Sequence, residues 1–432
     1  MKAVILAGGK GTRLGLSGVP KAMVDIEGTP ALERIIRGVV HSGMTEIILL
    51  TGYLGDVIEN YFGNGGRFGA SIEYVREDTP LGTAGAFNAI RAKLSEPFMV
   101  VYGDLLMDVD LRAFADFALA RGGAGTLFAH PNDHPFDSDL LEVDENGRIL
   151  AVHPKPHPEG RAYANLVSAA LYVLFPKALE FVPQDRPSDW GREILPRIAD
   201  AEPLFAYRSV EYVKDIGTPD RLAKATRHLR EGRLDHLSLR KPKPVLFLDR
   251  DGVINEEVNG AHSGRDIKLI AGAAAAIGAA NKAGMPVICV TNQPDIAKGL
   301  MDWKNLRDVN AEIDRQLAQE DGAYIDDIFA CPHHPERGWE GEVPDLKIEC
   351  DCRKPRDGLL RQAAETHNID LGRSWLIGDR YCDVAAGQSA GTMTILVRTG
   401  HAGDDRDRFD IQPDAICRDI GEAVEIVLGQ SA

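Results

Sequence analysis

The sequence predicts two consecutive α/β domains, and three observations lead there. Short apolar runs alternate with segments of helical periodicity along the whole chain. The alternation restarts after residue 244, behind a basic stretch at 226–244 that closes with Pro242 and Pro244. The 432 residues, at roughly 150 per domain, are enough for two or three separate cores.

In order along the chain, Ala3 to Leu6 is an apolar run ending in glycines and reads as a first strand. Leu32, Ile35, Ile36, Val39 and Val40 recur at helical spacing. Glu46 to Leu50 and Phe98 to Tyr102 are buried strands, the latter stopping at Gly103-Asp104, and Asn146-Gly147 predicts a two-residue hairpin. In the second half Val245 to Leu248 runs into Asp249, Val287 to Val290 into Thr291-Asn292, Trp375 to Ile377 into Gly378-Asp379, and Met393 to Val397 into Arg398. Each run ends in polar residues, and ligands of open α/β sheets gather at the carboxyl ends of strands. The alanines at 273–276 read as helix, as does the closing GEAVEIVL. These divisions place the domains at 1–235 and 236–432.

Acidic side chains number 65 against 49 basic, a formal charge of −16, which argues against a nucleic-acid partner. Small phosphorylated ligands need only a few local cations. No run approaches the ~20 apolar residues of a membrane span, and the start MKAVILAGG is too short for a signal-peptide core. Six cysteines are too few for a disulfide scaffold, so a cytoplasmic, reducing setting is expected.

The first strand leads into Gly8-Gly9-Lys10-Gly11-Thr12-Arg13-Leu14, followed by Pro20-Lys21. Glycines there let backbone N–H groups approach phosphates, and Arg13 and Lys21 supply positive charge. A Walker A loop is absent, and Leu14 stands where the third glycine of a dinucleotide fingerprint belongs. Together with Pro80-Leu81-Gly82-Thr83-Ala84-Gly85, Gly103-Asp104 and Asp215-Ile216-Gly217-Thr218-Pro219, this set resembles the sugar-1-phosphate nucleotidyltransferases over residues 1 to 230.

The resemblance implies a Rossmann-like fold in which Arg13 and Lys21 are catalytic contacts to the triphosphate and the sugar phosphate. Gly8, Gly9, Gly11, Thr12, Gly82 and Thr83 would bind the nucleotide, Asp104 and Asp215 Mg²⁺, and Lys155 the sugar or its phosphate. Asp108 and Asp110 are near enough to compete for the metal but are expected to cap the next helix. Two positions depart from the family: Pro154-Lys155-Pro156 replaces Glu-Lys-Pro, and Ala170-Leu171-Tyr172 stands where many members have a glycine. Glu77 to Gly85 looks most like the guanylyl members. Glu77 can accept from the guanine N1–H and amino group, or be a solvated loop carboxylate.

In the second half, Asp249-Arg250-Asp251-Gly252 ends a strand, with two carboxylates spaced so that one can attack and the other move protons. Asn255, Glu256 and Glu257 do not fit a calcium-loop frame. Thr291-Asn292-Gln293, Lys354 in Cys-Arg-Lys-Pro, and Gly378-Asp379 with Asp383 follow in order. This resembles the haloacid dehalogenase superfamily, in its histidinol-phosphate and heptose-bisphosphate phosphatase branch, over residues 244 to about 400. By that resemblance Asp249 is the nucleophile and Asp251 the acid and base. Thr291, Asn292 and Lys354 bind the phosphoryl oxygens, and Arg353 meets the substrate. Asp249, Asp251 and Asp379 hold Mg²⁺, whose shell Asp383 orients.

Cys331-Pro332-His333 and Cys350-Asp351-Cys352 give three thiolates and an imidazole, a donor set suited to a closed, structural Zn²⁺ site. His334 competes with His333, and spacing does not decide between them. Cys289, Cys382 and Cys417 read as ordinary core or surface residues. From Asp251 to Thr291 is 40 positions, too few for a large cap, so the zinc loop is the expected wall over the site.

A phosphatase that leaves a sugar 1-phosphate would feed a transferase that consumes one. The combination therefore predicts a bifunctional enzyme acting on a phosphorylated sugar and a nucleoside triphosphate. It would take the 7-phosphate from heptose 1,7-bisphosphate and make a GDP-heptose for a surface polysaccharide. The rivals are a histidinol-phosphate phosphatase joined to a mannose-1-phosphate guanylyltransferase, and a phosphatase with a non-catalytic nucleotide-binding module.

Overall fold

The computed structural model describes every residue except Leu16, Ser17, Asp78, Glu159, Asn259 and Ala432, with Ser431 placed in its backbone alone. The chain divides into two compact units. The first comprises Met1–His130, Asp137–His157 and Val167–Ser238; the second comprises Pro131–Phe136, Pro158–Leu166 and Leu239–Ala432. Two short stretches of the first half thus count with the second unit. Within it the Asn165 N–H donates to the buried Asp314 carboxylate at 2.9 Å.

The first unit is built on a nine-stranded mixed sheet. Lys2–Leu6 lies at its centre, parallel to Glu46–Thr51 on one side and to Phe98–Tyr102 on the other. Ser71–Arg76 extends the parallel part, and Val167–Leu174 adds an antiparallel strand beside Phe98–Tyr102. The chain therefore runs outward from Lys2–Leu6 and returns on its other flank. This makes a topological switch at the carboxyl end of that strand, where the glycine loop begins. The expected helix forms over Ala31–His41, with Leu32, Ile35, Ile36 and Val39 buried. The Asn146-Gly147 turn joins Leu140–Val143 to Ile149–His153, paired antiparallel, with Gly147 at φ 77°. Asp110 caps the helix Leu111–Arg121 by accepting from the Arg112 and Ala113 N–H groups, as expected, whereas Asp108, expected to share that role, ends the strand Leu105–Asp108.

The second unit holds a six-stranded sheet in which every pairing is parallel. Leu246–Leu248 lies between Val287–Asn292 and Trp375–Gly378, all buried except the terminal Asn292, as a doubly covered parallel sheet requires. Asp327–Cys331 flanks Val287–Asn292. The carboxyl ends of four neighbouring strands thus bring Asp249, Thr291, Asp379 and Cys331 to one edge. No described helix is long and apolar enough to cross a membrane.

Candidate functional site

In the first unit, Gly103 lets the chain leaving Phe98–Tyr102 pass directly under the glycine loop. Its N–H donates to the Leu6 carbonyl at 2.9 Å, and a Cβ would come within 2.8 Å of that oxygen. Beyond it Leu105–Asp108 pairs antiparallel with Tyr212–Asp215, with Leu105 opposite Asp215. The Ile216 N–H donates to the Asp104 carbonyl at 3.0 Å. The two predicted metal-binding aspartates are therefore neighbours across a two-stranded ribbon.

Lys21 is ion-paired with Asp104, and its Nζ also lies over Gly217, where a Cβ would approach it to 2.8 Å. Asp215 takes Arg221 Nη1 on both oxygens, at 3.0 and 2.8 Å, and the Gly217 N–H at 3.1 Å. Burial opposes its charge, yet the Arg221 guanidinium and that N–H hold its carboxyl below the usual range. Each carboxylate is thus already neutralised by a cation. Neither belongs to a group of three metal-capable side chains among the described residues.

Arg13 and Thr12 are exposed on the loop. Glu77 lies against it: Oε1 accepts the Leu81 N–H at 3.1 Å, and Oε2 faces Gly8. Burial raises its carboxyl above the usual range. Gly82 is at φ 76°, and the Thr83 hydroxyl is engaged, donating to Asp189 at 2.8 Å and accepting the Trp190 N–H at 2.9 Å. Asp78, in the same stretch, lies outside the described residues. Lys155 donates to Asp137.

In the second unit a cavity of about 340 Å³ opens over the strand ends, lined by Asp249, Asp251, Thr291, Arg353, Lys354 and Asp379 among others. Lys354 is buried and bridges Asp249 at 2.8 Å and Asp383 at 2.6 Å, while its Nζ also donates to the Val290 carbonyl at 2.9 Å. Burial disfavours its ammonium, but the two carboxylates hold its pKa above the ordinary value. Burial pushes Asp249 and Asp379 well up, and each adjacent carboxylate adds to the rise.

Asp249, Asp379 and Asp383 present oxygens within 4.8 Å of one another. With all three carboxylates ionised, one lysine would leave about two negative charges without compensation, and one Asp379 oxygen has no hydrogen-bond partner. A hard divalent cation fits that donor set. Gly252, at φ 80°, lets the Asp249 loop pass against Asp379, where any side chain would collide.

Asp251 was expected in the metal group, but its carboxylate is held elsewhere. Arg250 reaches it at 2.8 to 3.2 Å, Asn255 at 2.9 Å and Gln293 at 2.9 Å. Burial opposes its charge, but the Arg250 guanidinium holds Asp251 below the usual range. Asp383 takes its place beside Asp249 and Asp379. Gln293, to which sequence assigned no role, also donates to the Thr291 hydroxyl at 2.9 Å and so ties the two candidate groups together. Arg353 Nη1 donates to the His333 carbonyl at 3.4 Å.

Cys331, His333, Cys350 and Cys352 converge, with donor separations of 3.2 to 3.7 Å. A tetrahedral ion bound at ~2.3 Å by sulfur requires edges of about 3.8 Å, so the group fits a closed metal site. His333 enters through Nδ1, whereas the His334 ring packs edge-on against Trp339 at 5.2 Å.

Comparison with known proteins agrees with both halves. The Nucleotidyl transferase family model matches residues 2–232, more than half the chain, and the HAD-hydrolase-like model matches 351–423. The chain is 40% identical over 159 residues to D-glycero-beta-D-manno-heptose-1,7-bisphosphate 7-phosphatase of Vibrio cholerae, covering 37% of this chain and 83% of the relative. It is 37% identical over 194 residues to the D-glycero-D-manno-heptose-1,7-bisphosphate 7-phosphatase of Chlorobaculum tepidum, covering 43% and 95%. It is 32% identical over 235 residues to mannose-1-phosphate guanylyltransferase of Mycobacterium tuberculosis, covering 53% of this chain and 65% of that one. The chain therefore belongs to the nucleotidyl transferase family through its N-terminal half and, through its C-terminal half, to the heptose-bisphosphate 7-phosphatases of the haloacid dehalogenase class.

Proposed function

We propose that the second unit hydrolyses the 7-phosphate of D-glycero-D-manno-heptose 1,7-bisphosphate, and that the first transfers GMP from GTP to the resulting heptose 1-phosphate, releasing pyrophosphate. The observation that carries this reading is the presence in one chain of a phosphatase cavity centred on Asp249 and a transferase cluster of Lys21, Asp104 and Asp215. The first chemistry makes what the second consumes. The likeness to heptose-bisphosphate phosphatases supports the sugar.

In hydrolysis, an Asp249 oxygen attacks phosphorus, and the bond from phosphorus to the sugar oxygen breaks with its electron pair going to that oxygen. Asp251 delivers a proton to the leaving oxygen, then takes one from the water that opens the aspartyl-phosphate and frees inorganic phosphate. The contacts that keep Asp251 ionised favour the second role, so the first needs a proton that arrives with the substrate. Thr291 and Lys354 offset charge on the phosphoryl oxygens. Mg²⁺ held by Asp249, Asp379 and Asp383 would supply the divalent charge that the three carboxylates call for. Zn²⁺ on Cys331, His333, Cys350 and Cys352 would be structural, ordering the loop that presents Arg353 and Lys354.

In transfer, a phosphate oxygen of the sugar 1-phosphate attacks the α-phosphorus of GTP. The α–β bridging bond breaks, and pyrophosphate leaves with the electron pair, so no protein nucleophile is needed. Arg13 and Lys21 spread the triphosphate charge and Glu77 accepts from guanine; Asp104 and Asp215, paired in the structure with Lys21 and Arg221, would hold Mg²⁺ if it enters with the triphosphate. The likeness to a mannose-1-phosphate guanylyltransferase makes mannose 1-phosphate the rival acceptor.

The test is competition. Heptose 1-phosphate and mannose 1-phosphate are offered together with GTP, and heptose 1,7-bisphosphate is offered against histidinol phosphate. The heptose substrates are expected to win both. Preference for mannose 1-phosphate and histidinol phosphate would replace this reading with its rival.

A further inference from the structure

In the first unit the Asp137 carboxylate sits between two cations. Lys155 Nζ donates to its Oδ1 at 2.9 Å and to the Asp137 carbonyl at 2.7 Å, while Arg221 Nη2 donates to its Oδ2 at 2.9 Å. The same guanidinium uses Nη1 to hold both oxygens of Asp215. One arginine therefore joins a candidate metal ligand to a small site already shaped around an anion. Asp137 is the exposed member, with 63% of its side chain accessible, against 19% for Arg221 and 31% for Lys155.

We propose that Arg221 joins Lys155, which the family resemblance already gives to the sugar or its phosphate, in a cradle for the phosphate of the sugar 1-phosphate, and that Asp137 is an internal placeholder which that phosphate displaces; this rests on the nucleotidyl transfer proposed above. A carboxylate and a phosphate offer a guanidinium similar pairs of acceptor oxygens. The placeholder carries one charge on a well-solvated side chain, where ion pairs are weak. A phosphate monoester brings up to two charges and a third oxygen, so exchange favours the substrate. Arg221 does not have to move, because its grip on Asp215 already fixes the plane of its guanidinium. The phosphate would then lie beside Asp215 and within the reach of Lys21, on the side where the α-phosphorus must be met. Sequence assigned neither Arg221 nor Asp137 a role.

The two new residues give opposite signs, which separates a cradle from an ordinary surface ion pair. Full-length protein is titrated calorimetrically with heptose 1-phosphate, and separately with mannose 1-phosphate, in the presence of Mg²⁺ and α,β-methylene-GTP, which cannot turn over. Arg221→Gln is expected to weaken sugar-phosphate binding at least tenfold, with partial recovery in Arg221→Lys. Asp137→Asn, which removes the competing charge, is expected to tighten it two- to fivefold. Weaker binding in Asp137→Asn, or binding within twofold of wild type in a folded Arg221→Gln, would overturn the cradle. So would wild-type protein that binds neither sugar phosphate. If the two variants show these opposite effects while wild-type protein forms no nucleotide sugar from GTP, the cradle stands and the transfer reading falls instead.

Discussion

The side chain of Asn292 holds both backbone polar groups of Lys354: its Nδ2 donates to the Lys354 carbonyl at 3.0 Å, and its Oδ1 accepts the Lys354 N–H at 3.0 Å. A strand-terminal amide thus fixes the loop residue whose ammonium bridges Asp249 and Asp383. The family resemblance puts Asn292 on the substrate phosphate; in the structure its side chain amide is engaged with the backbone of Lys354 and clamps it.

Removing the clamp should cost chemistry more than binding. Asn292→Ala is expected to lower phosphatase kcat about 10- to 100-fold, the scale of a displacement of roughly 1 Å, with a smaller change in KM. Steady-state phosphate release checks this, and a kcat within twofold of wild type would show that Lys354 is held by other contacts.

Cys352 touches all three other members of the Cys-His group. Cys352→Ser should reduce bound zinc, read by elemental analysis, from about one equivalent to a small fraction. Phosphatase activity should fall at least tenfold, because the carbonyl of the ligand His333 holds Arg353 and the Cys331 carbonyl accepts from the Gln293 N–H. Nucleotidyl transfer should be unchanged. Full phosphatase activity in a zinc-free variant would separate the loop from the site.

Ala170 adopts φ 56°, the left-handed region, at a bulge where the pairing of Val167–Leu174 with Gly125–His130 shifts register. This is the position where many family members have glycine, and the backbone supplies the reason. Ala170→Gly trades relief of strain against extra freedom in the unfolded chain. A net stabilisation of up to about 1 kcal/mol is expected in chemical denaturation, and a loss of stability would mean that the alanine methyl packs well enough to offset the strain.

His228 is buried in the first unit with Nδ1 3.1 Å from the Tyr212 hydroxyl, and burial followed by nearby cations lowers its pKa to about 4. A histidine lowered in the folded state takes up protons more readily when unfolded. Its penalty is absent at pH 7 and grows as pH falls below 6.5 toward 4, reaching about 2 kcal/mol near pH 5. Unfolding curves of wild type and His228→Gln, compared at pH 7 and pH 5, isolate this contribution. The difference between the two proteins should shift by that amount in favour of the variant, and an unchanged difference would place the histidine in water.

The strand-terminal groups were legible in sequence because one rule produced them: a short apolar run followed by a polar residue puts that residue at the ligand-binding edge of a parallel sheet. Asp249, Thr291 and Asp379 all follow it. The Cys-His group was legible from its ligand spacing. The choice between His333 and His334 was not, because it depends on which ring packs against Trp339. The exchange of Asp251 for Asp383 in the carboxylate group was hidden in the side chain of Arg250, which turns back onto its own neighbour. Arg221 and Asp137 were out of reach for a simpler reason. They stand 84 positions apart, one on the helix Pro219–Arg230 and one in the turn Pro135–Asp137, and only the folded unit brings them together.

The central claim is that two sequential chemistries reside in one chain, and a three-protein comparison tests it most directly. Wild type, Asp249→Asn and Asp104→Asn are each incubated with heptose 1,7-bisphosphate, GTP and Mg²⁺, and the products are read by mass spectrometry. Wild type should yield GDP-heptose, inorganic phosphate and pyrophosphate. Asp249→Asn should leave the bisphosphate intact but regain GDP-heptose when supplied with heptose 1-phosphate, whereas Asp104→Asn should stop at heptose 1-phosphate. Phosphate release without any GDP-heptose in wild type, even with heptose 1-phosphate supplied, would contradict the account.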